Sequence, residues 1–155
     1  MCVRSVLLHA CETWPVTTVD ITRLCRTDHA MIRWICSSKL ADRDSLHMLR
    51  SKLGLASIEE VLRWSRLGWF GHLQRMDKNI WPRKIESFVV PGSYPKGRPR
   101  KRWLDCINED LRHTLLKPEQ ASNRTLWHSR IHPGGQRNRT SNPRSRGTKG
   151  RKTVQ

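Results

Sequence analysis

The longest amphipathic segment of the chain, residues 57–76, is the feature that most constrains the fold. Ser57 and Glu60 have the spacing of a capping box, in which backbone N–H groups are satisfied at a helix start. Gly68 and Gly71 each cost about 1 kcal/mol relative to Ala in a helix, so they indicate close packing or a kink. One face of the predicted helix is formed by apolar residues at helical spacing, namely Ile58, Val61, Leu62, Leu67, Trp69, Leu73 and Met76.

Shorter helical patterns lie on both sides of this segment. Thr17 and Asp20 form a second capping box, which precedes an amphipathic stretch at residues 18–36. Asp28 interrupts the apolar stripe of that stretch. On the other side, Pro82 suits the first turn of another short helix.

Aspartate, glycine and proline residues delimit three more predicted helices. Asp44 is placed to cap a short helix that Gly54 ends, and Pro118 begins a final weak helix. Between them, Pro99 falls at the first position of a helix over residues 100–115, where a missing N–H costs nothing. The apolar stripe of that helix consists of Trp103, Leu104, Ile107, Leu111 and Leu115.

The composition predicts a mainly α chain with a small core. Apolar residues make up 36% of the sequence, which is low for a globular domain, although seven tryptophans can each bury a large area. We predict a small irregular bundle of short helices with basic loops over residues 1–132. Residues 133–155 lack acids and have too few apolar side chains to offset the entropy of ordering, so we predict a disordered basic C-terminal tail.

The charge of the chain indicates a polyanionic partner. The 30 Lys and Arg residues exceed the 13 Asp and Glu residues, so the formal net charge is +17. Such a chain repels itself unless an anion neutralises it, and nucleic acid is the commonest such anion. We predict non-specific binding of RNA or DNA through phosphates. A basic scaffold protein, such as a ribosomal component, is the alternative.

The most concentrated cationic segment is residues 96–103, which we call the basic box. A first interpretation is phosphate contact, and a second is minor-groove insertion at A·T tracts, because Gly97-Arg98-Pro99 resembles the core of an AT-hook. A third interpretation is a solvated loop at a helix start. The candidate phosphate-binding residues of the box are Lys96, Arg98, Arg100, Lys101 and Arg102.

Two further groups of residues bear on nucleic-acid binding. Aromatic residues within 57–76 could stack on bases, but their helical spacing favours packing in a core; they are Trp64, Trp69, Phe70 and His72. Cations of the predicted tail add non-specific attraction for phosphates. They are Arg137, Arg139, Arg144, Arg146, Lys149, Arg151 and Lys152.

Cysteine usage and the N-terminal residues predict a nuclear or cytoplasmic location. The chain has an odd number of cysteines, five, so we expect free thiols in a reducing compartment rather than a disulfide framework. The apolar run within residues 1–10 is short and is interrupted by Arg4 and His9. We therefore predict neither a signal peptide nor a membrane span.

The sequence contains no recognisable catalytic or metal-binding constellation. A zinc site at Cys25, His29, Cys36 and His47 is disfavoured, because only the first two residues have an acceptable ligand spacing. Neither a Gly-x-Ser-x-Gly motif nor a Walker loop is present. We predict that the chain is not an enzyme and needs no metal or cofactor.

Four fragments match, in order, the motifs of one family. Residues 7–14 are similar to L-L-x-x-C-E-T-W, and residues 66–76 to R-L-x-W-x-G-H-x-x-R-M. Residues 97–105 are similar to G-R-P-x-x-R-W-x-D, and residues 121–127 to A-x-D-R-x-x-W, with Asn123 in place of the family's aspartate. The chain thus resembles the region after the reverse transcriptase domain in non-LTR (LINE-like) retrotransposon polyproteins, often labelled endonuclease-reverse transcriptase.

The resemblance covers about residues 3–131 and implies a role without polymerase chemistry. The family's reverse transcriptase holds two Mg²⁺ ions with the carboxylates of an aromatic-x-Asp-Asp turn. This sequence contains no Asp-Asp pair, and the endonuclease portion is also missing. The resemblance therefore implies a C-terminal fragment whose partner in the parent polyprotein is the reverse transcriptase domain.

Two functional hypotheses follow from these observations. The first is a non-catalytic nucleic-acid-binding fragment that grips RNA or DNA through the basic box. The alternative is a degenerate retroelement-derived product, or a helical interaction module whose Trp-rich faces dock on a polymerase.

Overall fold

Every regular element is helical in the part of the chain that the computed structural model describes, which is residues 2–42, 44–86, 88, 96–97 and 99–132. The predicted mainly α fold is therefore confirmed, whereas the predicted tail, residues 133–155, lies outside the described residues. Three short 3₁₀ turns are Cys11–Thr13, Leu40–Asp42 and Pro118–Ser122. The α-helices are α1 Cys2–Leu7, α2 Thr18–Ile35, α3 Leu46–Leu53, α4 Ile58–Gln74, α5 Trp81–Glu86, α6 Trp103–Thr114 and α7 Arg124–Ile131. None of these helices has both the length and the apolar character that crossing a membrane requires.

Capping boxes fix where the two longest helices begin. At α4, the backbone N–H of Glu60 donates to Ser57 Oγ over 3.2 Å, and the backbone N–H of Ser57 donates to the Glu60 carboxylate over 3.0 Å. The same reciprocal bonds join Thr17 and Asp20 at the start of α2. Both predicted helix starts are confirmed, because the capping groups lie within one turn of each other.

Helix α4 organises the core, since its two halves pack against different parts of the chain. Its N-terminal half contacts the α1–α2 region, where a cluster of apolar side chains contains Leu7, Leu8, Cys11, Trp14, Ile21, Leu24, Cys25, Ile58 and Leu62. Its C-terminal half contacts α6 and α7. The second cluster contains Leu67, Phe70, Trp103, Ile107, Leu111, Leu116, Ala121, Trp127 and Ile131.

Gly71 allows α7 to approach α4 closely. The Trp127 indole N–H donates to the backbone carbonyl oxygen of Leu67 over 2.9 Å. A Cβ at Gly71 would lie 2.6 Å from Trp127 Cδ1, closer than real Cβ contacts permit. No atom lies within 4 Å of the equivalent position at Gly68. Of the two predicted roles for these glycines, close packing is the one observed at Gly71.

The predicted start of α6 is wrong by three residues. The helix begins at Trp103 rather than at residue 100, and Pro99 precedes it as an exposed residue. The backbone N–H of Arg102 donates to Asp105 Oδ2 over 2.8 Å, so an acidic side chain in the first turn sets the boundary. At the other end, Leu115 has a left-handed φ of 55° and is exposed, so it does not belong to the apolar stripe.

One smaller correction concerns the cap of α3, and α7 has a cap of its own. Ser45, not Asp44, caps α3, because Ser45 Oγ accepts a hydrogen bond from the Met48 N–H. The Asp44 carboxylate instead accepts a bond from the Ser38 hydroxyl over 2.9 Å. Asn123 caps α7 by accepting from the Leu126 N–H over 3.2 Å. Asparagine is among the residues most favoured at this position, because its short side chain reaches the free N–H groups of the first turn.

Asp28 was expected to interrupt the apolar stripe of α2, but it is fully buried there. Its carboxylate lies 3.5 Å from Arg4 Nε and 3.5 Å from Arg50 Nη2. Arg4 also donates to the backbone carbonyl oxygen of Ala56. The buried charge is compensated by cations from α1 and α3, so Asp28 connects three segments.

Candidate nucleic-acid interface

The basic box ends at Trp103, the first residue of α6, whose side chain is hydrogen-bonded to the N-terminal segment. The Trp103 indole N–H donates to the backbone carbonyl oxygen of Glu12 over 2.8 Å. One turn later, Cys106 Sγ lies 3.6 Å from the backbone carbonyl oxygen of Val16. These two contacts fix the first turn of α6, and they thereby fix where the box ends.

The second anchor of α6 is a buried ion pair with α4. Arg66 donates to Asp110 through Nε over 2.7 Å and through Nη2 over 3.0 Å, a bidentate arrangement. Arg63 Nε lies 3.7 Å from the same carboxylate. The pair gives α6 a defined rotation against α4, because both charges must meet when they are removed from water.

The described cations of the box differ in how exposed they are. Lys96, Arg100 and Arg102 are exposed. Lys101 is half-buried, and its Nζ lies 2.6 Å from Glu109 Oε2 on α6, so a phosphate would compete with this carboxylate. Arg98 and the seven predicted tail cations (137–152) lie outside the described residues.

Gly97 gives the box its backbone turn. Its φ of +133° lies in a region that L side chains rarely adopt, so the position favours glycine. Pro99, two residues later, is exposed and cannot continue a helix from its amino side.

An open apolar groove lies beside the end of the box, between α4, α5 and α6. Its volume is about 540 Å³. Glu86, the one acid among its described lining residues, pairs with Arg83 and accepts from Gln74 Nε2 over 3.1 Å. The groove is lined by Thr13, Trp69, Leu73, Pro82, Ile85, Glu86, Phe88, Arg102, Trp103 and Leu104.

The aromatic residues considered for base stacking occupy mixed environments. Phe70 is buried in the core, as its helical spacing predicted. Trp69 is half-buried and lines the groove, and Trp64 is half-buried against His132 at 5.1 Å between ring centroids. His72 is exposed.

Sequence reasoning missed the most exposed apolar side chains near the box, which lie in and just after α5. Ile85 and Phe88 are 64% and 65% exposed, and Trp81 is 75% exposed with Lys84 Nζ 5.7 Å from its ring centroid. The sequence feature that could have pointed to this surface is the positive charge of the segment around it. Between residues 78 and 104 the sequence has eight Lys or Arg residues and a single acid.

The cysteine and histidine residues considered as zinc ligands have other surroundings. Cys25 Sγ lies 3.8 Å from Glu59 Oε1, and burial raises the pKa of this thiol. His29 Nε2 lies 3.0 Å from Arg50 Nη2, and burial together with this guanidinium lowers the pKa of the imidazole. Among the described residues, no three His, Cys, Asp or Glu side chains are grouped so as to hold a metal ion. The four cysteines whose side chains are described are free thiols, namely Cys11, Cys25, Cys36 and Cys106.

Comparison with known proteins identifies no relative of the chain. No family model, no curated protein and no solved structure matches it.

Proposed function

We propose that this chain is a non-catalytic nucleic-acid-binding fragment that contacts the phosphates of RNA or DNA through the basic box. The observation that carries the proposal is the combination of exposed cations at Lys96 and Arg100 with the fixed position of Trp103. A cationic segment tied to a folded body can hold a polyanion at a defined place. The contacts are sequence-independent and weaken as salt concentration rises.

Two further features support the proposal. The net charge of +17 would destabilise the compact chain unless an anion neutralised it. The resemblance to the region after the reverse transcriptase domain of LINE-like polyproteins also supports the proposal, because those parent proteins act on RNA and DNA. In that setting the neighbouring partner is the reverse transcriptase domain.

The test compares two variants that lose the same charge. In the box variant three cations upstream of α6 are replaced, by Lys96→Ala, Arg98→Ala and Arg100→Ala. In the charge control three exposed cations outside the box are replaced, by Arg26→Ala, Lys117→Ala and Arg130→Ala. Affinity for a short fluorescent oligonucleotide of mixed sequence, as RNA and as DNA, is measured by anisotropy at one salt concentration.

We expect the box variant to bind about tenfold more weakly than the wild type, because it loses direct phosphate contacts. The charge control should lose about threefold or less, since it changes only the overall field. Equal losses in the two variants would show that net charge alone attracts the oligonucleotide. An unchanged affinity of the box variant would remove the box from the interface.

A further inference from the structure

We infer that the groove between α4, α5 and α6 takes unpaired nucleobases, so that the protein prefers single-stranded to double-stranded nucleic acid. This inference rests on the proposed function, because phosphates on the basic box bring the strand to the groove. It adds a second kind of contact, to the bases. This contact distinguishes single-stranded from double-stranded nucleic acid, which the box alone does not do.

The size and lining of the groove fit a flat, apolar ligand. A volume of about 540 Å³ lies within the range of small-molecule sites and exceeds what one base needs. The aromatic rings of Trp69, Trp103 and Phe88 all line it, together with Ile85 and Leu104. Every base has a π face, so rings of this kind stack on bases without regard to sequence.

The groove joins the box directly. Arg102 and Trp103 belong to the basic box and also line the groove. A strand with a phosphate at the exposed Arg100, two residues before Arg102, would therefore reach the groove with its next nucleotides. A duplex would not gain the same contact, because its bases are paired and stacked inside the helix.

Charge favours this occupant over an uncharged apolar segment of another protein. Residues 78–104 carry eight Lys or Arg residues and one acid, Glu86, which is paired with Arg83. Arg102 lines the groove, and Arg83 and Lys84 line an adjoining pocket that shares Glu86 and Leu104 with it. An apolar groove with such cations beside it matches a ligand that has flat apolar groups and an anionic backbone. Single-stranded nucleic acid has both.

Trp81 extends the same surface along α5. It lies four residues before Ile85, so the two side chains occupy one side of the helix. Lys84 lies 5.7 Å from the Trp81 ring centroid, which places a cation next to an exposed ring. Aromatic and cationic side chains that alternate in this way are typical of proteins that track a single strand.

The test uses two double variants of the full chain. The groove variant carries Ile85→Ala and Phe88→Ala, two exposed residues whose truncation leaves the buried core intact. The matched control carries Trp34→Ala and Leu115→Ala, which are 83% and 88% exposed and do not line the groove. The probes are one short single-stranded oligonucleotide and its duplex, and the measurements are anisotropy and sedimentation velocity.

We expect the groove variant to bind the single strand about tenfold more weakly than wild type, because it loses contacts to the bases. Its affinity for the duplex should stay within about twofold of wild type. The matched control should bind both probes like wild type. An equal change for both probes, or no change for either, would overturn the inference. So would a groove variant that differs from wild type only in self-association, because the groove would then bind a second copy.

The failure of this inference can be told apart from the failure of the proposed function. If the box variant binds both probes more weakly while the groove variant matches wild type, the phosphate contacts stand and the base site does not. If the box variant matches wild type for both probes, the proposed function fails, and the inference that depends on it fails as well.

Discussion

The indole N–H of Trp103 donates a hydrogen bond to the backbone carbonyl oxygen of Glu12, 91 residues earlier in the chain. Trp103 is the last residue of the basic box and the first residue of α6. The bond therefore joins the candidate interface to the N-terminal segment and not only to its own helix. A cationic segment held in this way loses less conformational entropy on binding than a free one.

Replacing Trp103 by Phe should destabilise the fold by about 1–2 kcal/mol. The substitution keeps an aromatic ring but removes the donor to Glu12, which leaves a partly buried carbonyl without this partner. Urea unfolding followed by circular dichroism gives the difference. Trp34→Phe is the control, because Trp34 is largely exposed, and its change should stay within about 0.5 kcal/mol. Equal losses in the two variants would contradict a specific anchor at Trp103.

Gly71→Ala and Gly68→Ala should change stability in opposite directions. At Gly71 a methyl group would collide with the Trp127 indole, so we expect a loss of about 1–3 kcal/mol despite the better helix propensity of Ala. At Gly68 the space is open, and we expect a gain of up to about 1 kcal/mol. Thermal unfolding of the two variants and of the wild type measures both changes in stability. A stabilising Gly71→Ala would show that α7 does not pack on α4 as described.

Asp110→Asn should be among the most destabilising single changes in α6. It leaves the buried guanidinium of Arg66 without a carboxylate, a situation that typically costs about 3–5 kcal/mol. Because the cost arises from the unpaired charge, Arg66→Met combined with Asp110→Leu should lose less than the sum of the corresponding single changes. A double-mutant cycle by urea unfolding measures this coupling. Simple additivity would mean that the two side chains do not interact in solution.

Stability should decrease as the pH falls below about 6.5, in part because of His132. Burial, and then the neighbouring His128, lowers the pKa of the His132 imidazole. The unfolded chain therefore takes up a proton at a higher pH than the folded chain. The contribution of His132 is complete above the unfolded pKa and is lost as the pH falls toward the folded pKa.

Urea midpoints between about pH 7.5 and pH 5.5 measure this effect. We expect His132→Phe, which keeps a ring against Trp64, to show a smaller decrease than wild type. His47→Phe, which replaces an exposed histidine, is measured as the control for exchanging a histidine for a phenylalanine. A decrease in His132→Phe as large as in wild type would rule out His132 as a contributor.

The helix starts were predictable where the signal is local. The capping boxes at Ser57 and Thr17 satisfy backbone groups within one turn, so neighbouring residues decide the boundary. The start of α6 was misplaced for a related reason. Pro99 tolerates a helix start but does not enforce one, whereas the Asp105 carboxylate accepts the Arg102 N–H and fixes it.

The buried charges were not predictable from periodicity. The partners of Asp28 are Arg4 and Arg50, and the bidentate partner of Asp110 is Arg66, all on other helices and up to 44 residues away. A single sequence does not show which distant cations will meet a given acid. The apolar groove was missed in the same way, because it forms only when α4, α5 and α6 come together.

The basic box itself was visible in the sequence because charge clustering needs no tertiary information. The different availability of its cations was not visible. Lys101 is engaged by Glu109, two helical turns away, whereas Lys96 and Arg100 are exposed. The helix geometry of α6 brings Glu109 back toward the box, and this contact depends on where the helix begins.

The most direct test of phosphate contact by the basic box is the salt dependence of binding. The affinity of the full chain, the box variant and the charge control for a single-stranded oligonucleotide is measured over a range of salt concentrations. Each phosphate contact contributes about 0.7 to the slope of log affinity against log salt for a single strand, so three lost contacts should reduce the slope by about 2 in the box variant. The charge control should keep the wild-type slope. A box variant whose slope equals that of wild type would contradict phosphate contact by the basic box.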